Sequence, residues 1–260
     1  MNLGLEGRRA LITGGSKGLG LAIAQELVSE GVTVAICARS ENEVLAAAEE
    51  LRSAGGTVYA HPADVTDAEQ VRDFVARSAD ALDGIDFLVN NAGGAHPGNF
   101  DALTDEDWSA DLDVKLFSLI RCSREVLPHM RAAGGGRIVN IGSVYARYPD
   151  PAFFATSVNR AAGNSFTKTL ALEVAGDNIL VNGVNIGFVT TPQWDNIHRR
   201  RAPELDREQF LDAIAEQEVP LGRFGTPDEV SGLVTFLLSK RAGYITGALV
   251  DVAGGMGKYV

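Results

Sequence analysis

The sequence has little cysteine and no long apolar run. Only two cysteines, Cys37 and Cys122, occur in 260 residues, too few for a disulfide framework or a cysteine-rich metal site. The apolar runs fall short of the roughly 20 residues that span a bilayer. The first nine residues lack the apolar segment of a signal peptide. These absences predict a cytoplasmic protein without a membrane partner.

Positive charge is also scarce. Lys and Arg number 23 against 34 Asp and Glu, so the net charge is 23 − 34 = −11, which argues against the basic surface of a nucleic-acid binder. The four histidines, at 61, 96, 129 and 198, show no ligand spacing and predict no metal site. A content of 45% hydrophobic and 22% charged residues is typical of a globular protein. These counts predict a globular protein without a nucleic-acid or metal partner, and the motifs below indicate a small-molecule substrate instead.

Short apolar segments alternate with longer segments of helical pattern. The short segments are mostly apolar rather than strictly alternating, as in parallel strands that are covered by helices on both faces. This alternation predicts one α/β domain over residues 1–260, with a Rossmann-type, doubly wound parallel sheet of seven strands. The predicted strands are 9–13, 32–37, 57–60, 85–89, 137–141, 180–185 and 248–252.

Capping-box patterns at 40–43, 66–69 and 226–229 predict three of the helix starts. The segment 188–218 breaks the alternation of strand and helix. A long excursion after the carboxyl end of a strand is where α/β folds build a cover over a ligand. We therefore expect residues 188–218 to form a substrate lid.

A glycine-rich turn joins the first strand to the first helix. Glycine permits a tight turn and lets the backbone approach a pyrophosphate at a helix N-terminus. The complete order of strand, turn and helix predicts a dinucleotide-binding site. The candidate contacts in this turn are Gly14, Ser16, Lys17, Gly18, Leu19 and Gly20.

The cofactor preference depends on the end of the second strand. NAD sites usually place an acidic residue there, whereas Arg39 offers a guanidinium to a 2′-phosphate. Lys17 adds a second cation nearby. The pattern favours NADP(H) over NAD(H), with two solvated surface cations as the alternative.

Several motifs together resemble those of the short-chain dehydrogenase/reductase family over essentially the whole chain. They are the Gly-x-x-x-Gly-x-Gly spacing within 13–20, the motifs at 64–65, 90–93 and 187–192, and the segment 220–229. The resemblance implies that one pair of residues flanks the adenine, three support the cofactor and the sheet, and two face the nicotinamide carboxamide. These are, in that order, Asp64 and Val65; Asn91, Ala92 and Gly93; and Val189 and Thr191.

The same resemblance implies a catalytic Ser, Tyr, Lys and Asn, and here the pattern breaks. Ser143 matches, but Thr156 stands at the Tyr position, Arg160 at the Lys position and Lys115 at the Asn position. The segment 165–173 continues the family's helix and fixes this register without a gap. An aliphatic hydroxyl is far less acidic than a phenol, whose pKa is near 10, so Thr156 needs help to donate a proton.

Two substitutes for the missing proton donor remain open. Tyr145 or Tyr148, in the loop after Ser143, would supply a phenol, although a loop tyrosine often serves only packing. Lys115 would serve if burial and Arg160 lower its pKa. Lys115 and Arg160 near Ser143 also suit an anionic substrate or a developing oxyanion, whereas Arg199–Arg201 are either solvated or part of the lid.

Three functions follow from these residues. The first is an NADP(H)-dependent oxidoreductase with an altered catalytic site. The second is a non-redox enzyme on the same fold, and the third is a catalytically silent cofactor-binding subunit. The resemblance also implies a homodimer or homotetramer, for which the apolar segments 230–238 and 244–252 are candidate contacts.

Overall fold

The structure, a computed structural model, describes residues 2–257. Its centre is a sheet of seven parallel strands in the order β3-β2-β1-β4-β5-β6-β7. The strands are β1 (Arg9–Thr13), β2 (Thr33–Ala38), β3 (Val58–Pro62), β4 (Phe87–Asn90), β5 (Gly136–Ser143), β6 (Ile179–Ile186) and β7 (Leu249–Val252). The predicted α/β fold is confirmed, and each strand boundary falls within two residues of its prediction.

Nine α-helices occur between residues 2 and 257. No helix in that range is both long and apolar enough to cross a membrane. The helices are α1 (Gly18–Ser29), α2 (Glu41–Ser53), α3 (Ala68–Leu82), α4 (Asp105–Leu112), α5 (Ser118–Ala132), α6 (Phe154–Val174), α7 (Pro192–Arg201), α8 (Arg207–Glu218) and α9 (Pro227–Leu238).

Two of the three predicted helix starts are confirmed. Thr226 forms the complete capping box before α9, and Ser40 Oγ accepts the Glu43 N–H before α2 at 3.3 Å. The prediction for Thr66 is wrong, because α3 begins after Asp67, whose carboxylate accepts two backbone N–H groups of its first turn. The Thr66 hydroxyl donates instead to Asp64, at 2.8 Å.

Helices cover both faces of the sheet. Ile12 packs in an apolar cluster with α1, α2 and α9, whereas its neighbour Leu11 packs in a second cluster with α3, α5 and α6. Because alternate residues of a strand face opposite layers, β1 is apolar at successive positions. The same packing places Val230 and Val234 of α9 inside the chain's own core. The apolar residues of 230–238 are therefore largely used within one chain.

The segment 188–218 contains α7 and α8. Around these helices lies a third apolar cluster that includes Trp194, Phe210 and Phe224. Val189 is bridged to Gly225, which anchors the start of this segment beside the sheet. The expected lid segment is thus a pair of helices with its own small core.

The strand order reverses between β1 and β4. After β1 the chain builds β2 and β3 on one side, and it then crosses to β4 on the other. Such a reversal leaves a crevice at the carboxyl ends of the strands, where α/β folds bind their ligands. The candidate site lies at this edge.

Candidate active site

The glycine-rich turn follows β1 at this crevice. Gly14 has φ +64°, a left-handed conformation that favours glycine. A Cβ on Gly20 would overlap the carbonyl oxygen of Gly14, so glycine at position 20 lets the first turn of α1 pack on the loop. Because α1 begins at Gly18, its positive N-terminal end lies at the turn, as in a pyrophosphate site. Ser16 and the buried Leu19 lie in the same stretch.

The loop after β4 is bonded to this turn. Asn91 Nδ2 donates to the carbonyl oxygens of Thr13 and Gly14, at 3.0 and 3.1 Å. Thr13 Oγ1 accepts the backbone N–H groups of Asn91 and Ala92, both at 3.0 Å. These bonds hold the two loops together at the edge of the sheet.

The two cations predicted at the cofactor site differ in their partners. Lys17 Nζ forms an exposed ion pair with Glu43, at 2.9 Å. Arg39, directly after β2, is exposed, and its side chain makes no hydrogen bond or ion pair within residues 2–257. The guanidinium of Arg39 is therefore free to bind a ligand, whereas the charge of Lys17 is already matched by a carboxylate.

The loop after β3 is fixed by a short polar turn. Asp64 Oδ1 accepts the backbone N–H and the hydroxyl of Thr66, at 2.9 and 2.8 Å. The next residue, Val65, is buried. The Ala63 N–H donates to the Ala38 carbonyl at 2.9 Å, so this loop lies beside the end of β2.

The loop after β6 reaches the glycine-rich turn. A Cβ on Gly18 would lie 3.5 Å from Thr191 Cβ and 3.4 Å from Pro192 Cδ. Thr191 precedes α7, and Val189 is buried. The start of the lid segment therefore contacts the turn.

Lys115 and Thr156 meet on the other side of the crevice. Lys115 lies in a π-helical turn, Asp113–Phe117, between α4 and α5, and π turns are frequent at functional sites. Its Nζ donates to Thr156 Oγ1, in the first turn of α6, at 2.7 Å. Lys115 is 0% exposed and Thr156 is 6% exposed. An ammonium group is thus enclosed behind a threonine hydroxyl.

Asp111, which the sequence analysis missed, completes this cluster. Its Oδ1 accepts a hydrogen bond from Lys115 Nζ, and its Oδ2 accepts one from Asn159 Nδ2 at 2.9 Å. The i, i+4 spacing of Asp111 and Lys115 was the available clue, because it puts both side chains on one helix face. Nothing in the sequence pattern indicated Asn159.

The environment of Lys115 changes its acidity. Burial lowers the pKa of Lys115 to about 8; Asp111 opposes this lowering, and the guanidinium of Arg160 adds to it. Lowering of this pKa by burial and by Arg160 was the condition for Lys115 to serve as a proton donor, and both lower it here. A lysine with a pKa near 8 can both give and take a proton near neutral pH.

Arg160 lies one helical turn beyond Thr156, under the loop after β4. Its Nη1 donates to the carbonyl oxygen of Ile141 at 2.7 Å, and its buried Nε has no hydrogen-bond partner. A Cβ on Gly93 would lie 2.8 Å from Arg160 Nη2, so glycine there makes room for the guanidinium. Burial lowers the pKa of Arg160 to about 10, with Asp111 opposing, and Arg160 therefore stays charged at neutral pH.

Ser143 and Tyr145 follow β5. Ser143 Oγ accepts the backbone N–H of Tyr145 at 3.2 Å. The Tyr145 ring stacks on Phe153 with centroids 5.1 Å apart, and burial is the main cause that raises the pKa of Tyr145. This phenol is therefore a weaker acid than an exposed one.

The side chains of His96 and of the arginines at the end of α7 make contacts that do not place them in the cluster around Lys115. The His96 ring lies 3.3 Å from the Asp107 carboxylate, while the His96 carbonyl accepts the Thr156 hydroxyl at 3.4 Å. Arg199–Arg201 end α7 and remain exposed. Within residues 2–257, no group of His, Cys, Asp and Glu side chains is arranged to hold a metal ion.

Several known proteins are similar to this chain in sequence and in fold. Residues 8–202 match the family described as short chain dehydrogenase. The short-chain reductase protein NovJ of Streptomyces niveus is 37% identical over 247 residues, 95% of this chain and 92% of the relative. L-sorbose reductase of Gluconobacter frateurii, complexed with NADPH and L-sorbose, is 35% identical with a TM-score of 0.97 over 100% of both chains. An NADPH-bound short chain oxidoreductase of Pseudomonas aeruginosa PAO1, described as containing an atypical catalytic center, is 36% identical with a TM-score of 0.90 over 97% of this chain and 98% of that chain.

Proposed function

The chain belongs to the short-chain dehydrogenase/reductase family, and we propose that it is an NADP(H)-dependent oxidoreductase in which Lys115 and Thr156 together replace the family's proton-donating Tyr. The observation that carries this proposal is the 2.7 Å hydrogen bond from Lys115 Nζ to Thr156 Oγ1. It gives a weakly acidic hydroxyl a stronger acid as its neighbour.

The residues at the crevice fit a dinucleotide phosphate. The N-terminus of α1 and the tight turn at Gly14 suit a pyrophosphate, and the unpaired guanidinium of Arg39 suits a 2′-phosphate. The buried Arg160, with its unpartnered Nε, suits the nicotinamide ribose hydroxyls. When bound, the nicotinamide supplies or accepts a hydride. NADPH in two similar structures supports this choice.

The proton path follows from burial. Lys115 exposes no surface, whereas Thr156 exposes a small part of its side chain, so a substrate reaches only the hydroxyl. In reduction, the Thr156 hydroxyl gives its proton to the substrate oxygen as hydride reaches the carbonyl carbon. The Lys115 ammonium replaces that proton along its existing hydrogen bond and becomes a neutral amine. Ser143 positions the substrate oxygen by a hydrogen bond.

The substrate is a small carbonyl compound. Asp111 carries one negative charge against the two positive charges of Lys115 and Arg160, so the site keeps one net positive charge. That charge favours an anionic substrate or the oxyanion that develops during hydride transfer. The segment 188–218 covers this substrate as a lid, because Thr191 at its start contacts the glycine-rich turn.

A binding and turnover experiment tests this proposal. The full chain is titrated with NADPH and then assayed for NADPH oxidation with a panel of neutral and anionic carbonyl compounds. We expect micromolar or tighter binding of NADPH, and turnover that Lys115→Met abolishes while leaving NADPH binding unchanged. Binding without turnover on any carbonyl would favour a silent binding subunit. Turnover that does not need the cofactor would favour a non-redox enzyme.

A further inference from the structure

Asp111 is a buried carboxylate with both oxygens occupied. It lies in the last turn of α4 and is 1% exposed. One oxygen accepts from Lys115 Nζ and the other from Asn159 Nδ2, at 2.9 Å. Its partners come from two different elements, the π turn before α5 and the first turns of α6. The Asp111 carboxylate therefore links α4 to the π turn before α5 and to α6.

Burial makes the two charges depend on each other. A carboxylate without a partner is costly in a protein interior, and an ammonium there loses its proton more easily. The Asn159 amide donates to the Asp111 oxygen that faces away from Lys115 and so fixes the plane of the carboxylate. The other oxygen then points at Nζ, which in turn lies against Thr156 Oγ1.

We propose that Asp111, oriented by Asn159, is a positioning residue that keeps Lys115 protonated and directed at Thr156. This inference rests on the proposed function, in which that ammonium supplies the proton. Asp111 acts through Lys115 and does not touch the substrate.

Two charged groups among residues 2–257 act on Lys115. From α4 comes Asp111, which favours the ammonium form, and from α6 comes Arg160, which disfavours it. The loop after β4 contributes the carbonyl of His96, which accepts from Thr156, while the His96 ring is paired with Asp107. Without Asp111, burial and Arg160 act on Lys115 unopposed.

Lysine NMR tests this directly, because the chain has only five lysines. The protein is labelled at lysine 13Cε and 15Nζ and titrated with pH, and the Lys115 signal is assigned from Lys115→Arg. In Asp111→Asn we expect the pKa of Lys115 to fall by about 1–3 pH units, as for loss of a close opposite charge. The matched control is Asp113→Asn, whose carboxylate pairs with Arg121 instead, at 3.0 Å, and it should leave the pKa of Lys115 unchanged.

The NMR readout needs neither substrate nor cofactor, so it separates this inference from the proposed function. A Lys115 pKa that stays the same in folded Asp111→Asn overturns the inference whether or not turnover is found. If the protein turns over a substrate, the pH above which kcat falls should be lower in Asp111→Asn by the same amount as the pKa of Lys115. A lower Lys115 pKa with no change in that pH overturns the positioning role in catalysis.

Asp111→Asn leaves a buried ammonium without its counter-ion, and the variant can fail to fold. Asp111→Ser, which leaves room for a water molecule, then carries the same expectation. In the unaltered protein at pH 6.5, the Lys115 15Nζ signal should be that of an ammonium group in slow exchange with solvent. An amine signal at that pH overturns the inference without any variant.

Discussion

The Lys115 ammonium and the Thr156 hydroxyl form one donor unit. Nζ donates to Oγ1 at 2.7 Å, so the threonine oxygen accepts from the lysine and keeps its own hydrogen for another acceptor. That acceptor is now the His96 carbonyl, in a long bond of 3.4 Å. A substrate oxygen can replace so weak a partner, as the proposed proton transfer from Thr156 to the substrate requires.

Removal of the Lys115 ammonium group tests whether Lys115 and Thr156 act together as the proton donor. In Lys115→Met we expect NADPH-dependent turnover to fall by roughly 10²–10⁴-fold, the usual size of a general-acid contribution. The control is Lys168→Met in α6. Lys168 Nζ contacts the Gly247 carbonyl at 3.4 Å and is not part of the candidate site, so this variant removes a lysine charge elsewhere. Steady-state kcat at neutral pH and the far-ultraviolet dichroism of each variant are compared.

Two further variants test whether Tyr145, instead of Lys115 and Thr156, donates the proton. Tyr145→Phe should keep most of the activity, because burial raises the pKa of Tyr145 and makes this phenol a poor acid. Ser143→Ala should lose activity, because it removes the hydroxyl that positions the substrate oxygen. If Tyr145→Phe abolished turnover while Lys115→Met and Ser143→Ala left it unchanged, the loop tyrosine would be the donor.

The pH profile carries a second signature of Lys115. Its pKa is lowered from 10.5 to about 8, so the ammonium form predominates below pH 8. Carbonyl reduction needs that form; kcat should be level below pH 8 and fall about tenfold for each pH unit above it. Alcohol oxidation needs the neutral amine and should rise through the same pH. Initial rates in both directions from pH 6 to 10 measure this, and parallel profiles would contradict the assignment.

The fold and the cofactor edge were predictable from the sequence because they depend on local patterns. Strands with buried apolar residues at successive positions, such as residues 10–12 of β1, are typical of a sheet covered on both faces. The glycines at 14 and 20 occupy positions where a side chain would be strained or would overlap the backbone. Such requirements act over a few residues and leave a visible spacing.

The cluster around Lys115 was predictable only in part, because its contacts join distant segments. Lys115 and Thr156 were found by family register, but their hydrogen bond depends on how the turn before α5 packs on α6. Asp111 was indicated only by its i, i+4 spacing to Lys115, and Asn159 carries no motif. Similarly, the sequence does not show that Lys17 pairs with Glu43, because this contact joins the glycine-rich turn to α2.

Cofactor preference should depend on Arg39. We expect tighter binding of NADPH than of NADH, and Arg39→Asp should erase or reverse the difference, because a carboxylate repels the 2′-phosphate and accepts ribose hydroxyls. Lys17→Ala is the control with a smaller effect, because the charge of Lys17 is already paired with Glu43. Calorimetric titration with both cofactors gives the affinities. Equal affinities in the unaltered protein would refute the preference.

A homodimer or homotetramer is expected at micromolar concentration. Tyr244 is fully exposed, and a large exposed aromatic suits a twofold contact between identical chains. Leu172 of α6 is 73% exposed and offers a second such contact. Light scattering of the unaltered protein, Tyr244→Ser and Leu172→Ser measures the assembly. We expect at least one substitution to reduce the mass, and a monomeric unaltered protein would contradict the expectation.

Restoring the family's catalytic Tyr and Lys should let the protein reduce ordinary neutral ketones, but only if the buried Asp111–Lys115 ion pair is also removed. The unaltered protein should reduce ordinary neutral ketones poorly, because it lacks the phenol. Thr156→Tyr with Arg160→Lys alone should give no gain, because Lys115 Nζ lies 2.7 Å from the position 156 oxygen and leaves no room for a ring.

Adding Lys115→Asn and Asp111→Val to this pair removes both members of the ion pair, so neither is left buried and unpaired. The fourfold variant should then reduce a neutral ketone with NADPH roughly 10²–10⁴-fold faster than the unaltered protein. The matched control carries Phe in place of Tyr at position 156, which supplies the ring without the hydroxyl and should show no gain. If the Phe form gained as much as the Tyr form, the improvement would come from space in the pocket and not from a restored acid. A gain confined to the Tyr form, with NADPH affinity unchanged, would establish that position 156 faces the substrate oxygen.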